Sequence, residues 1–361
     1  MIASRRHGRQ LSEIKELQRQ IDERLSEALD RVDRIGLPES SLVVFVHIPK
    51  TAGGTVRAML SATRPGPQII DSGNFFKGTD HALGKISRKM RIAEQTAKAV
   101  VIGHVPYGAY RAQLPMEARY VTFLREPVDR VVSHFYRHVM NWDGNAKVRF
   151  GGVESLERAL TDTELPEISN LQPALNNLQT RCLCSDPKPL GRLPESALAE
   201  AKDNLRKFAF VGIQERFVES LVLFQRTLGL TLTPAPDRHV NLYRPSVDDV
   251  DADERRLIEE HNRLDAELYR YARMLFDERV TQAGAGLHAE VEALRAGAAT
   301  AKAGDQAELQ AAVDWLGREL RAGGKKLNPQ MKQAAANDGI SSRHLKRGLR
   351  LLLSQREEAR Q

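Results

Sequence analysis

The chain has 361 residues, 41% of them hydrophobic and 28% charged, with a formal net charge of +7. That is enough for one sizeable α/β domain with appendages, and it lacks the apolar continuity of a membrane-spanning bundle. Two cysteines, Cys182 and Cys184, are separated by one residue, a spacing that disfavours a mutual disulfide and a count that cannot complete a structural zinc site, so reduced thiols are expected.

Residues 1–38 open as MIASRRHGRQLSEIKEL, without an apolar leader-like stretch, which predicts a cytoplasmic protein, at most peripheral at a membrane. Leu11, Ile14, Leu17, Ile21, Leu25, Ala28, Val32 and Ile35 advance in steps of three or four, as in an amphipathic, heptad-like helix. The pattern leaves two outcomes open for residues 11–35: a coiled coil that makes a homodimer, or packing on the chain's own domain. Gly36-Leu37-Pro38 then separates this helix from the main domain, expected over residues 39–281.

Within that domain the strands are expected at Leu42–His47, Ala99–Ile102, Tyr120–Phe123 and Phe208–Val211. Helical or polar stretches lie between them, which predicts an α/β fold with parallel strands and crossover helices. Leu257 to Phe276 has helical periodicity. Residues 282–310 read as a linker followed by an Ala-rich helix, and residues 311–361 as a basic helical module. The basicity belongs to this last part: nine Lys/Arg against two Asp/Glu fall between Arg318 and Arg350, and the remainder is formally neutral.

The most informative stretch is Leu42 to Leu60, LVVFVHIPKTAGGTVRAML. A β-branched strand is stopped by Pro49, Lys50-Thr51 bring charge and a hydroxyl, and Gly53-Gly54 free the backbone. Thr55 can cap the helix that follows, whose apolar positions are Val56, Met59 and Leu60. A strand turning through small residues into a helix N-terminus aims backbone N–H groups at one point, where the dipole also favours an anion. Lys50, Thr51, Ala52, Gly53, Gly54 and Thr55 therefore read as a phosphate or sulfate cradle. The lysine and threonine precede the glycines, the reverse of the Walker order, which argues against nucleoside triphosphate hydrolysis.

Two further stretches carry chemistry. In Tyr120 to His138, YVTFLREPVDRVVSHFYRH, a strand ends before Arg125, and Pro127 suits a first helical turn. Arg125 offers a planar bidentate donor to a phosphate, Ser133 adds a hydroxyl, and Arg130 is expected to pair with Asp129 or Glu126 on the surface. In Val101-Ile102-Gly103-His104-Val105-Pro106-Tyr107, His104 follows a strand, where open parallel sheets place ligand sites, and histidine suits a general base.

The order His47-Ile48-Pro49-Lys50-Thr51-Ala52-Gly53-Gly54-Thr55, followed by R-E-P-V-D-R-V-V-S-H-F from Arg125, resembles the carbohydrate sulfotransferases of the heparan 2-O-sulfotransferase-like family. Later segments are similar too: Asn177 to Leu183 (NLQTRCL), Phe210 to Phe217 (FVGIQERF) and His261 to Tyr269 (HNRLDAELY). The resemblance implies a P-loop-NTPase-like parallel sheet flanked by helices. It also implies 3′-phosphoadenosine 5′-phosphosulfate (PAPS) as sulfate donor with no metal, and a saccharide or glycolipid hydroxyl as acceptor. It further implies the 5′-phosphosulfate on the first loop, the 3′-phosphate on Arg125 and Ser133, and His104 as base. Lys50 would stabilise the leaving phosphate by the electrostatic logic of phosphoryl transfer, and Gln179 and Arg181 are the candidate acceptor contacts.

The stretch QAAANDGISSRHLKRGLRLL lies outside that pattern and resembles helix-turn-helix segments of bacterial DNA-binding modules. Arg343, Lys346, Arg347 and Arg350 would meet phosphates, so residues 311–353 are candidates for nucleic acid, protein or anionic membrane contact. Two readings compete with a sulfotransferase: a nucleotide kinase or NTPase-like enzyme, and a regulatory DNA-binding protein whose sulfotransferase-like domain senses a nucleotide.

Overall fold

The computed structural model describes residues 42–74, 99–112, 118–138, 155–161, 172–185, 193–232 and 245–321, together with residues 335, 337, 340, 341, 344 and 348. The expected helix over 11–35, and with it the dimer, lies outside the described residues, as do Arg343, Lys346, Arg347 and Arg350. The chain forms two compact units, one containing the sheet and the helices up to Leu287, the other made mainly of His288–Gln361.

Five strands, β1 (Leu42–Val46), β2 (Gln68–Asn74), β3 (Ala99–His104), β4 (Arg119–Leu124) and β5 (Phe210–Ile213), pair in the order β2-β3-β1-β4-β5. Every pairing is parallel. The near-continuous apolar runs of β1, β3 and β4 follow from this, because a parallel sheet covered by helices must be apolar on both faces. β2 was not among the strands expected. It is an edge strand, QIIDSGN, with a register shift between Asp71 and Gly73, and Ile69-Ile70 is too short an apolar run to identify it. β5 starts two residues later than expected, because Phe208 closes the preceding helix through its N–H to Leu205 O.

The helices of this unit follow in chain order as α1 (Gly53–Ala62), α2 (Tyr107–Arg111), α3 (Pro127–His138), α4 (Leu156–Thr161), α5 (Gln172–Leu175) and α6 (Leu178–Leu183). After these come α7 (Glu195–Lys207), α8 (Phe217–Leu228), α9 (Ala252–His261) and α10 (Arg263–Ala283). β1 leads through α1 to the β2 edge, and β3 returns beside β1. From β3 the chain passes through α2 to β4, on the other side of β1. Strand order reverses at β1, so the carboxyl ends of β3, β1 and β4 stand side by side at the switch point where such sheets hold ligands. Beneath them Phe45, Phe123, Phe210 and Phe224 stack, with ring centroids 5.8 Å apart for Phe45–Phe123 and 5.5 Å for Phe123–Phe210 and Phe210–Phe224. A second cluster joins Val128, Val131, Val132 and Phe135 of α3 to Leu156, Ala159, Leu160, Leu175 and Ile258.

The single helix expected from Leu257 to Phe276 is two. Asn262 breaks it with φ −121° and ψ 28°. The break is held because buried Asn262 donates from Nδ2 to Leu175 O (2.8 Å) and Ile258 O (2.9 Å) and accepts from Asn177 N (2.9 Å).

The helix α11 (Gly286–Arg321) runs on through the boundary expected between residues 310 and 311. In the unit from His288 onward, Ala312, Trp315 and Leu316 are buried, and Ile340 N donates to Ala335 O at 2.8 Å, a helix-closing bond. The hydroxyl of Ser341 accepts from His344 N (3.3 Å), the cap expected of the second tail helix, and His344 Nδ1 lies 3.0 Å from Glu308 Oε2. Among the described residues no helix is long and apolar enough to cross a membrane, and no group of three potential metal ligands is gathered.

Candidate active site

β1 ends at Val46 and α1 begins at Gly53, so His47 to Ala52 must turn the chain. Lys50 and Ala52 do so in left-handed backbone conformations, φ 71° and 67°, a strain of about 1–3 kcal/mol each that persists where surrounding structure imposes it. The turn is closed by Thr55 N and Val56 N, which donate to Ala52 O at 2.9 and 3.2 Å. Ala52 is the N-cap residue of α1; no side chain caps this terminus and its first turn holds no acidic residue. With Thr55 N and Val56 N used in closing the turn, the terminus offers an anion the Gly53 and Gly54 N–H groups and the helix dipole. Two expectations are corrected here. Thr55 lies within α1 rather than capping it. Thr51 is 0% exposed and its hydroxyl donates to Ile48 O (2.9 Å), so its side chain braces the turn instead of meeting a ligand. Gly53 is required by close approach, since a Cβ there would lie 2.0 Å from His47 Cδ2.

His104, the last residue of β3, stands against this loop. Its ring centroid is 4.2 Å from that of His47, and its Nδ1 is 2.8 Å from His47 O. A carbonyl oxygen only accepts, so Nδ1 carries the proton and Nε2 carries the lone pair. Burial pushes the His104 pKa below the ordinary 6.5, with Arg57 adding to that; the bond to His47 O and the charge of Asp71 oppose it. His47 is pushed well below its ordinary value, first by burial and then by His104 and Arg57. Arg57 and Asp71 pair at 2.8 Å, linking α1 to the bulged edge strand.

Arg125 follows β4 and is buried. Its Nη1 donates to Lys50 O (3.1 Å), which ties the second motif to the first loop, and its Nε donates to Asp129 Oδ2 (2.7 Å), with Nη2 on the same oxygen. Asp129, four residues on, is a partner the sequence reading assigned to Arg130. The α3 N-terminus is already occupied: Glu126 accepts from Val128 N (3.0 Å) and Asp129 N (2.7 Å), and Glu215 accepts from Glu126 N (2.7 Å). Glu215 also accepts from the Tyr269 hydroxyl (2.7 Å). An anion at this end would therefore meet the Arg125 guanidinium rather than the helix terminus. Ser133 sits eight residues after Arg125 on α3, and is buried.

Gln179 and Arg181 are not placed as the acceptor contacts expected of them. Gln179 is 0% exposed, and its amide bonds the main chain of Arg125 in both directions. Arg181 is buried, with Nε on Asn176 O (2.9 Å) and Nη2 on Asn176 Oδ1 (3.1 Å). Arg130 is not a surface residue either. It is fully buried, its charge opposed by that of Asp265. Asp265, also fully buried, accepts from Gln179 N (3.0 Å), Thr180 N (2.8 Å) and Thr180 Oγ1 (2.8 Å). Burial raises its carboxyl pKa, against the lowering by Arg130 and these bonds.

The sequence reading placed Lys50, His104 and Arg125 in the site, and the His104 ring and the Arg125 guanidinium lie within hydrogen-bonding reach of the loop that carries Lys50. It missed His47 as the support of His104, although His47 opens the loop motif, and Asp129, whose four-residue spacing from Arg125 on a helix start was the available signal.

Comparison with known proteins follows the same line. Residues 28–306 match the model of the galactose-3-O-sulfotransferase family. Heparan-sulfate 6-O-sulfotransferase 1 of Cricetulus griseus is 34% identical over 286 residues, covering 70% of this chain and 71% of that protein. The Homo sapiens protein of the same name is 29% identical over 286 residues, covering 70% and 69%. Mouse sulfotransferase SULT7A1, solved as a complex with PAP, aligns at 17% identity over 65% of this chain and 68% of that one, with a TM-score of 0.29. The class expected from sequence, carbohydrate sulfotransferase, is the one found, under a model named for galactose 3-O rather than heparan 2-O transfer. The motif order, the switch-point loop and a match over most of the chain agree: this chain belongs to the galactose-3-O-sulfotransferase family.

Proposed function

We propose that this chain transfers the sulfuryl group of PAPS to a hydroxyl of a saccharide. The observation that carries the reading is the meeting, at the carboxyl ends of β3, β1 and β4, of an uncapped helix N-terminus, the neutral ring of His104 and the guanidinium of Arg125. The residues fit a donor with two separated anionic groups. The first turn of α1, with Lys50, Ala52, Gly53, Gly54 and Thr55 and the main chain of Thr51, takes the phosphosulfate. Arg125 and Ser133 take the 3′-phosphate.

When bound, PAPS supplies the sulfuryl group and leaves as adenosine 3′,5′-bisphosphate. His104 Nε2 takes the proton of the acceptor hydroxyl as its oxygen bonds to sulfur. The electron pair of the breaking sulfur–oxygen bond stays on the 5′-phosphate, where the Lys50 ammonium offsets the developing charge. Lys50 stands before the glycines rather than after them, which disfavours the kinase or NTPase reading. Titration calorimetry tests the donor: adenosine 3′,5′-bisphosphate binds and ATP does not. Binding of ATP alone, or of neither, sinks the proposal.

The depressed His104 pKa has a kinetic consequence. The neutral imidazole is the active form, so activity persists as pH falls through 6.5, the ordinary histidine value, and is lost only as pH falls through the lower folded value. The acid limb of kcat/KM is expected below pH 6.5. A limb at or above that value would show that His104 is not the titrating base.

A further inference from the structure

We infer that Gln179 is a positioning residue that sets the direction of the Arg125 guanidinium by clamping its backbone. The pairing of β4 with β5 ends at Leu124 opposite Ile213, so Arg125 emerges one residue beyond the ladder with its peptide groups still in the interior. Gln179 supplies what a neighbouring strand would. Its Oε1 accepts from Arg125 N (2.9 Å) and its Nε2 donates to Arg125 O (2.8 Å). A primary amide has the same donor and acceptor pair as a peptide group, so one side chain replaces one rung of sheet.

The clamp is itself held. Gln179 lies in the first turn of α6, whose N–H groups at Gln179 and Thr180 donate to buried Asp265. With the backbone of Arg125 fixed on that side, its side chain leaves at a set angle, reaching Lys50 O (3.1 Å) and Asp129 Oδ2 (2.7 Å). No other common side chain does this at the same reach. Glutamate lacks the donor, asparagine is one methylene short, and methionine lacks both polar groups. The consequence for ligand binding rests on the donor reading above; the clamp does not.

The experiment uses the full chain, with Gln179→Met and Gln179→Glu. Hydrogen exchange at the Arg125 amide, measured without ligand, is expected to be slow in the wild type and fast in Gln179→Met. Affinity for adenosine 3′,5′-bisphosphate is expected to fall at least about tenfold, the scale of one charge-assisted hydrogen bond lost. In an Arg125→Ala background the same substitution is expected to cause no further loss, since Gln179 acts through Arg125. Leu198→Ala, a core truncation in α7, is the control that lowers the melting temperature without changing that affinity. Wild-type affinity in Gln179→Met, or losses that add in the double variant, overturns the inference. Should Gln179→Met fail to fold, Gln179→Glu is read by affinity and by the double variant alone, because a carboxylate still accepts from Arg125 N and loses only the donor to Arg125 O. Wild-type affinity or additive losses there overturn the inference. A wild type that does not bind the bisphosphate refutes the donor reading, and the exchange rate of the Arg125 amide still decides the clamp: fast exchange in the wild type overturns it.

Discussion

Replacing His104 by alanine is expected to lower kcat by about 10²–10⁴-fold, the usual contribution of a positioned general base, while affinity for adenosine 3′,5′-bisphosphate stays near that of the wild type. The expectation rests on three properties of one ring. Its Nδ1 is committed to His47 O at 2.8 Å, which leaves Nε2 as the lone-pair nitrogen. Burial holds it neutral near pH 7, so no proton has to be removed before it can accept one. It ends β3 next to the loop proposed to hold the phosphosulfate, the sheet neighbour from which a base can reach an attacking hydroxyl. Because His104 also packs on His47, and His47 on Gly53, the alanine variant has a second way to fail. Affinity separates the two. A large loss of bisphosphate binding together with kcat would make His104 a packing residue for the loop, and an unchanged kcat would remove it from the chemistry.

Asp265→Ala is expected to destabilise the fold by about 3–5 kcal/mol, because it removes the largest of the charges that oppose the buried Arg130 guanidinium. It also strands the Gln179 and Thr180 N–H groups and the Thr180 hydroxyl, which donate to Asp265. Against a typical total stability of about 5–15 kcal/mol, one such change brings the chain close to unfolding. Asp265→Asn keeps an acceptor and the shape, and is expected to cost less, about 1–3 kcal/mol. Denaturant midpoints at constant slope measure both. An alanine variant within experimental error of the wild type would show that Arg130 is balanced elsewhere.

These two residues mark opposite ends of what the sequence reveals. His104 was legible because its signal is local: a β-branched strand, a glycine, then a histidine at the strand's mouth. The same holds for the loop from His47 to Thr55 and for Arg125 before Pro127, since strand, turn and helix start are each written in a few neighbouring residues. Which partners Asp265, Arg130 and Gln179 would find was not legible in this way. Gln179 was expected at the acceptor only through the family resemblance of the stretch NLQTRCL. Its actual partner is the main chain of Arg125, 54 residues away, and Asp265 reaches Thr180 across 85. Arg130 was assigned to the surface by its acidic neighbours, yet α3 turns it inward. Spacing within a helix start could not show which face of α3 the rest of the chain would cover.

The sequence by itself determined the class of chemistry. The order of Lys50, Thr51 and the glycines is not that of a Walker loop, and the motifs around this loop and Arg125 carried the resemblance to carbohydrate sulfotransferases. It also determined the parallel sheet, since runs such as LVVFV are stable only when covered on both faces. Tertiary structure alone decided which of the polar residues face a ligand and which hold the frame. It turned Thr51 and Gln179 inward, moved Asp129 onto Arg125, and split the helix at Asn262. The physical reason is that a buried polar group must find its partner wherever the fold brings one, and in this chain those partners lie on segments far apart in sequence.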